Sequence, residues 1–163
     1  MNYEITKHIL EILKPYVDIE NLDISTESTD WKGRKYKADY IKIDEKHNVG
    51  FEVTDRSIIT FCFNDHQHFD NYATDENDID YIRWAMEFLE NLFTLPIRHI
   101  EKYKGKKKTS EKYYFIKNDK EECFSGIIVS RLFSNPFAKK QIKSTIWYFD
   151  KELKTFVNDF FYK

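Results

Sequence analysis

The stretch Val49-Gly50-Phe51-Glu52-Val53-Thr54-Asp55-Arg56-Ser57-Ile58-Ile59-Thr60-Phe61-Cys62-Phe63 decides the fold class. Two runs rich in β-branched and aromatic residues flank Thr54-Asp55-Arg56, a connector too short to hold a crossover helix. Parallel neighbours need a connection of a dozen or more residues, so the two runs read as antiparallel strands. The run 58–63 is apolar on successive residues, which predicts the central strand of its sheet, covered on both faces.

Working upstream, Tyr36–Ile43 alternates with Tyr36, Ala38 and Tyr40 on its apolar side and is joined through the polar Glu45-Lys46-His47-Asn48. This makes a meander of three strands. Residues 18–30 are polar and acidic and read as a loop, with at most a short strand near Leu22–Ile24. Before them, Ile5, Ile9, Ile12, Leu13 and Tyr16 recur at helical spacing and predict an N-terminal helix over 4–17, its last turn weakened or ended by Pro15.

Downstream, residues 64–78 read as a loop that leads into a long central helix. Thr74 or Asp75 can cap it, Asp75, Glu76, Asp78 and Asp80 suit the positive end of its dipole, and Pro96 stops it after Thr94. Its stripe of Ile79, Ile82, Met86, Leu89 and Phe93 is broadened by Tyr81, Trp84, Ala85, Phe88 and Leu92, which suits packing on two sides. Further strands follow at Arg98–Lys104 and Lys112–Lys117, around a hairpin signal at Gly105–Ser110. Next come Cys123–Phe133 with Gly126 as a bulge site, an Asn135-Pro136 turn, and Ser144–Phe149. The run 155–161 suits either a last strand or a short helix with Leu153, Phe156, Val157 and Phe160 on one face. The expectation is one α+β domain over 1–163, mainly antiparallel.

Composition narrows the class. The chain has 163 residues, 41% of them apolar and 17% aromatic, with four Gly and three Pro. That supports a packed core without a disulfide or metal, and no Pro- or Gly-rich linker divides it. No run approaches the ~20 apolar residues of a membrane span. Met1-Asn2-Tyr3-Glu4 lacks the layout of a signal peptide, so a cytoplasmic protein is expected. Cys62 and Cys123 leave room for at most one disulfide, and Cys62 inside an apolar run reads as a small buried hydrophobe.

Charge is divided unevenly. Residues 1–96 carry 20 Asp/Glu against 10 Lys/Arg, whereas 97–163 carry 8 against 16. Such asymmetry points either to a charged partner or to strands of the two halves mixing in one sheet and neutralising each other. The lysines peak at Lys102, Lys104, Lys106, Lys107, Lys108 and Lys112. A hairpin at Lys106–Lys108 can meet phosphates or guard an exposed edge. A pI near 6.2, Lys over Arg by 21 to 5, and the lack of any nucleic-acid motif argue against nucleic acid as the main partner.

Templates for chemistry fail one by one. Asp65-His66-Gln67-His68-Phe69-Asp70 gathers two imidazoles and two carboxylates suited to a transition metal, but a further ligand is not evident. This loop is the basis of one alternative, a metal-dependent hydrolase using Asp65, His66, His68 and Asp70. A nuclease core would use Asp39 and Glu52, yet Thr54 stands where such sites carry Lys. The two carboxylates are expected on the solvent side of a strand pair. No nucleophile elbow, phosphate loop or dinucleotide fingerprint is present. No catalytic residue, cofactor or metal is therefore expected.

Val49-Gly50-Phe51-Glu52-Val53 through Asp65-His66-Gln67-His68-Phe69 to Tyr81-Ile82 resembles small bacterial immunity proteins of polymorphic toxin systems. Ile97-Arg98-His99, Tyr103-Lys104-Gly105-Lys106 and Asn135-Pro136-Phe137 share that resemblance. It implies a cytosolic protein that binds and neutralises a cognate toxin domain and needs no catalytic group. The acidic run from Asp65 to Asp80 is then the expected docking surface, with Asp65, Asp70, Tyr72, Asp75, Glu76, Asp78 and Asp80 as contact candidates. Trp31 is a further aromatic anchor. A regulatory or nucleic-acid binder acting through Lys106–Lys108 is the remaining alternative.

Overall fold

The computed structural model describes residues 4–31, 33–54, 57–63, 65–70, 78–128, 138–153 and 155–160. The fold is α+β and mainly antiparallel, with two five-stranded sheets. The chain forms two compact units, residues 1–90 with 151–154, and residues 91–150 with 155–163.

The first unit opens with helix α1 (Glu4–Leu13). Its buried face is Thr6, Ile9, Leu10 and Leu13; of the predicted stripe Ile5, Ile9, Ile12, Leu13 and Tyr16 it buries Ile9 and Leu13 and leaves the other three half-buried. The helix ends at Leu13, before Pro15, the residue expected to weaken or end its last turn, and Val17 N–H bonds Leu13 O at 3.0 Å. Strands β1 (Asp23–Trp31), β2 (Arg34–Asp44), β3 (Val49–Val53), β4 (Ser57–Cys62) and β5 (Asp65–Asp70) follow in a sheet of that order.

The meander thus has five strands, not three. The segment 65–70, expected as a loop, and 23–31, expected as a loop with at most a short strand near Leu22–Ile24, are its two edge strands. Their polar sequences hid them: an edge strand takes its backbone hydrogen bonds from one neighbour and can leave its side chains in water, so it needs no apolar pattern. The middle of the sheet is β3, and β4 lies between β3 and β5. The apolar run of β4 marked an interior strand but not the central one. Asn48 (φ 52°) and Phe63 (φ 55°) take left-handed conformations at the turns into β3 and β5.

Alternation divides the first sheet into two faces. Ile41, Phe51, Val53 and Ile58 are buried on the inner one. Thr6 of α1 hydrogen-bonds Asp39 on this face, and Phe69 meets Phe88, their ring centroids 5.7 Å apart. Phe88 belongs to helix α2 (Asp78–Thr94), whose buried stripe is Tyr81, Ala85, Phe88, Leu89, Leu92 and Phe93. The helix stops before Pro96 as predicted; the cap candidates Thr74 and Asp75 lie outside the described residues.

In the second unit, β6 (Ile97–Lys104), β7 (Lys107–Lys117), β8 (Lys120–Ile127), β9 (Lys140–Asp150) and β10 (Thr155–Phe160) form a sheet of order β10-β9-β6-β7-β8. The open choice for 155–161 resolves as a strand, with Phe156 paired to Phe149. The hairpin turn after β6 is only Gly105-Lys106, with Gly105 at φ +62°, so Lys107–Ser110, expected in the loop, belong to β7. Asn118 and Asp119, at φ 50° and 61°, make the next tight turn, the left-handed pair that suits a two-residue hairpin. Strand β8 begins at Lys120, ahead of the expected Cys123; Phe133 and Asn135-Pro136 lie outside the described residues. The apolar end of the inner face joins Phe93, Phe149 and Phe156, with centroids 4.9–6.0 Å apart.

Each sheet is built from one half of the sequence, so charge does not mix within a sheet. The first unit holds 21 Asp/Glu and 12 Lys/Arg, net −9; the second holds 7 and 14, net +7.

Candidate functional site

Two places gather polar groups. The first is the outer face of the first sheet, opposite α1. The register sets Tyr40 beside Glu52, Gly50 beside Phe61, and Phe61 beside His66. Tyr40, Glu52, Ile59 and Phe61 are half-buried, and Glu27, Glu45 and His66 are exposed. A groove of about 360 Å³ opens here, walled by Glu27, Tyr40, Lys42, Glu45, Asn48 and Phe61. Gly50 forms its floor. A Cβ on Gly50 would lie 2.5 Å from the carbonyl oxygen of Ile41, so only glycine lets β2 approach this closely.

Of the predicted docking run, the structure describes four positions, on two separate elements. Asp65 and Asp70 start and end β5, and Asp78 and Asp80 lie in the first turn of α2. Tyr72, Asp75 and Glu76 lie outside the described residues, as does the side chain of Trp31. Trp84, 54% exposed, is the large exposed aromatic of the first unit among the described residues. Asp65 accepts the backbone N–H of His66 at 2.8 Å, and the His66 ring lies 4.0 Å from the same oxygen. His66 and His68 sit two residues apart on β5, at register positions opposite Phe61 and Ile59.

Asp39 departs from expectation. It is fully buried on the inner face rather than solvent-facing, and accepts hydrogen bonds from Thr6 Oγ1 at 2.9 Å and Thr26 Oγ1 at 2.7 Å. Its strand neighbour across β3 is Val53, whereas Glu52 pairs with Tyr40. Asp39 and Glu52 therefore point to opposite faces of the sheet and cannot share a metal ion. Cys62 is buried, and burial together with the nearby Asp65 charge pushes its thiol up to about 12. It cannot supply a thiolate at neutral pH. Both cysteines are free.

The second place was not legible in the sequence. On the inner face of the second sheet, β6 and β7 set Glu101 directly opposite Glu111, and His99 opposite Tyr113. Among the described residues, His99, Glu101 and Glu111 form the group with metal-compatible spacing. Lys108, however, already stands between the carboxylates, 2.7 Å from Glu111 Oε2 and 3.1 Å from Glu101 Oε1. Tyr113 donates to Glu111 Oε1 at 2.6 Å, Tyr103 donates to Glu101 at 2.9 Å, and His99 Nε2 lies 2.8 Å from Glu111 Oε1. The His99 ring stacks on Tyr113 with centroids 4.4 Å apart.

The electrostatics of this cluster are self-contained. Burial favours the neutral form of Glu111, but hydrogen bonds from Lys108 and Tyr113 and the adjacent positive charge outweigh it and hold the carboxyl at about 2. Glu101 is lowered on the same balance, burial opposing and the Lys108 and Tyr103 hydrogen bonds prevailing. Lys108 is raised, chiefly by its hydrogen bond to Glu111. Burial lowers His99 more than Glu111 and Glu101 raise it. General acid–base work needs groups that titrate near the working pH. Here both carboxyls and the ammonium are driven away from it, and a metal ion would have to displace Lys108. The cluster is a charge-satisfied brace between β6 and β7. The signal that could have found it is the alternation of His99, Glu101 and Tyr103 against Glu111 and Tyr113, readable only once the hairpin register is known.

No protein-family model, curated protein or solved structure matches this chain.

Proposed function

We propose that this chain is a binding protein that neutralises a cognate toxin domain, docking it on the outer face of its first sheet. The observation that carries this reading is the acid-rimmed aromatic groove of that face. Tyr40 and Phe61 provide rigid, half-buried aromatic surface, the kind that anchors protein interfaces. Glu27, Glu45 and Glu52 surround them in a unit of net −9, which would steer a basic partner and speed encounter. The charge-satisfied state of the His99 cluster and the opposite facing of Asp39 and Glu52 weigh for recognition over hydrolysis.

The reading predicts a toxin gene beside this one, and the test is rescue of cells that express that toxin. Co-expression of the wild-type chain should restore growth. A Tyr40→Ala, Phe61→Asp double variant that keeps its circular dichroism spectrum should not. Death in the presence of soluble wild-type protein would refute the proposal, and full rescue by the folded double variant would remove the groove from it.

A further inference from the structure

The outer face of the second sheet has no role in the partner reading above. On β6, Arg98, Ile100, Lys102 and Lys104 alternate with the inward Ile97, His99, Glu101 and Tyr103. The register places Lys112 and Tyr114 of β7 beside Ile100 and Arg98. It places Ile142, Ser144 and Ile146 of β9 beside Lys102, Ile100 and Arg98. Each of these residues is at least partly exposed, with Ile142 at 66% and Tyr148, next along β9, at 38%. The inner face, by contrast, buries Ile97, Phe115, Phe149 and Phe156.

This face is basic. Arg98 is paired with Glu121, but Lys102, Lys104, Lys112 and Lys140 form no ion pair among the described residues. The hairpin lysines contribute less than the sequence suggests, because Lys108 is committed to Glu101 and Glu111 on the other side of the sheet. The acidic pI of the whole chain conceals the feature, since the second unit alone carries net +7.

We propose that this face binds single-stranded nucleic acid without sequence preference. Four unpaired ammonium groups supply phosphate contacts. Tyr114 and Tyr148 offer rings, and Ile142 an apolar contact, on which unpaired bases can rest. Lysine acts as a point charge and not as a fork that reads base edges, so sequence discrimination is not built in. Five strands leave four spacings of ~4.8 Å, a platform about 19 Å across, enough for several nucleotides. An acidic protein surface fits less well. Protein interfaces exclude lysine from their centres, whereas Lys102 and Lys112 stand among the isoleucines of this face and not around them.

The experiment is fluorescence anisotropy of the full chain with labelled dT15 and rU15, at sodium chloride from 50 to 200 mM. With about 0.7 counterion released per phosphate contact, four contacts predict roughly fifty-fold weaker binding across that range. Lys102→Gln with Lys112→Gln should halve the salt slope. Tyr148→Ala should weaken binding to both oligomers and leave the slope unchanged. Lys106→Gln, in the turn between β6 and β7, should change affinity less than about twofold. No binding at 50 mM salt overturns the proposal and leaves an acidic protein as the occupant. Equal competition by duplex DNA, or loss of binding only in the Lys106 variant, overturns it too. None of these outcomes bears on toxin rescue, which reads the other unit.

Discussion

Glu111→Gln isolates the brace between β6 and β7. The side chain keeps its size and loses its charge. Wild-type Glu111 is held at about 2, against an ordinary carboxyl near 4.5, by Lys108, Tyr113 and the neighbouring positive charge. A depressed carboxyl stabilises the fold above its unfolded pKa, and that stability is lost as pH falls from about 4.5 towards 2. The gap corresponds to about 3 kcal/mol at pH 7. Lys108 is about one-third exposed, so solvent screening trims the figure to about 2–3 kcal/mol. At pH 3 most of the unfolded-state carboxyl is already protonated, and the same linkage leaves about 1 kcal/mol. Urea denaturation followed by circular dichroism, wild type against Glu111→Gln, should therefore show a gap that shrinks by more than half between pH 7 and pH 3. A pH-independent gap would mean that lost packing, not charge, sets the cost. A gap below 0.5 kcal/mol at pH 7 would mean that the network does not stabilise the sheet.

Asp39→Ala should cost about 2–4 kcal/mol, since it strands the hydroxyls of Thr6 and Thr26 and opens a buried cavity; a melting temperature within 2 °C of wild type would contradict this. Thr6→Val, which removes one of those bonds and keeps the shape, should cost about 1 kcal/mol by the same denaturation assay. Gly50→Ala should cost more than about 2 kcal/mol or yield insoluble protein, because its Cβ meets the backbone of β2 and no side chain can move aside. Native protein should release one equivalent of thionitrobenzoate quickly, from exposed Cys123, and a second only in denaturant, because the Cys62 thiol is buried and pushed up to about 12. Two fast equivalents would contradict the burial of β4.

The sequence by itself determined the elements whose burial pattern is written locally. The antiparallel β3–β4 hairpin, the end of α2 at Thr94 before Pro96 and the β6–β7 hairpin follow from apolar spacing and turn residues, which act over a few neighbours. It could not reveal β1 and β5, because edge strands are held by backbone bonds to β2 and β4 and carry no apolar signature of their own. The burial of Thr6 also escaped it: α1 buries Thr6 because Asp39, 33 residues away, waits for its hydroxyl. The functional surfaces belong almost wholly to the tertiary structure. The register of neighbouring strands puts Asp39 and Glu52 on opposite faces, joins His99 and Glu101 to Lys108 and Glu111, and turns Lys108 away from the lysines beside it in sequence. Strand register decides which alternate residues share a face, and a slip of one residue would send every side chain to the other face. The charge asymmetry was legible as a number. That it separates into a −9 unit and a +7 unit, and does not cancel within one sheet, was decided only by which strands pair.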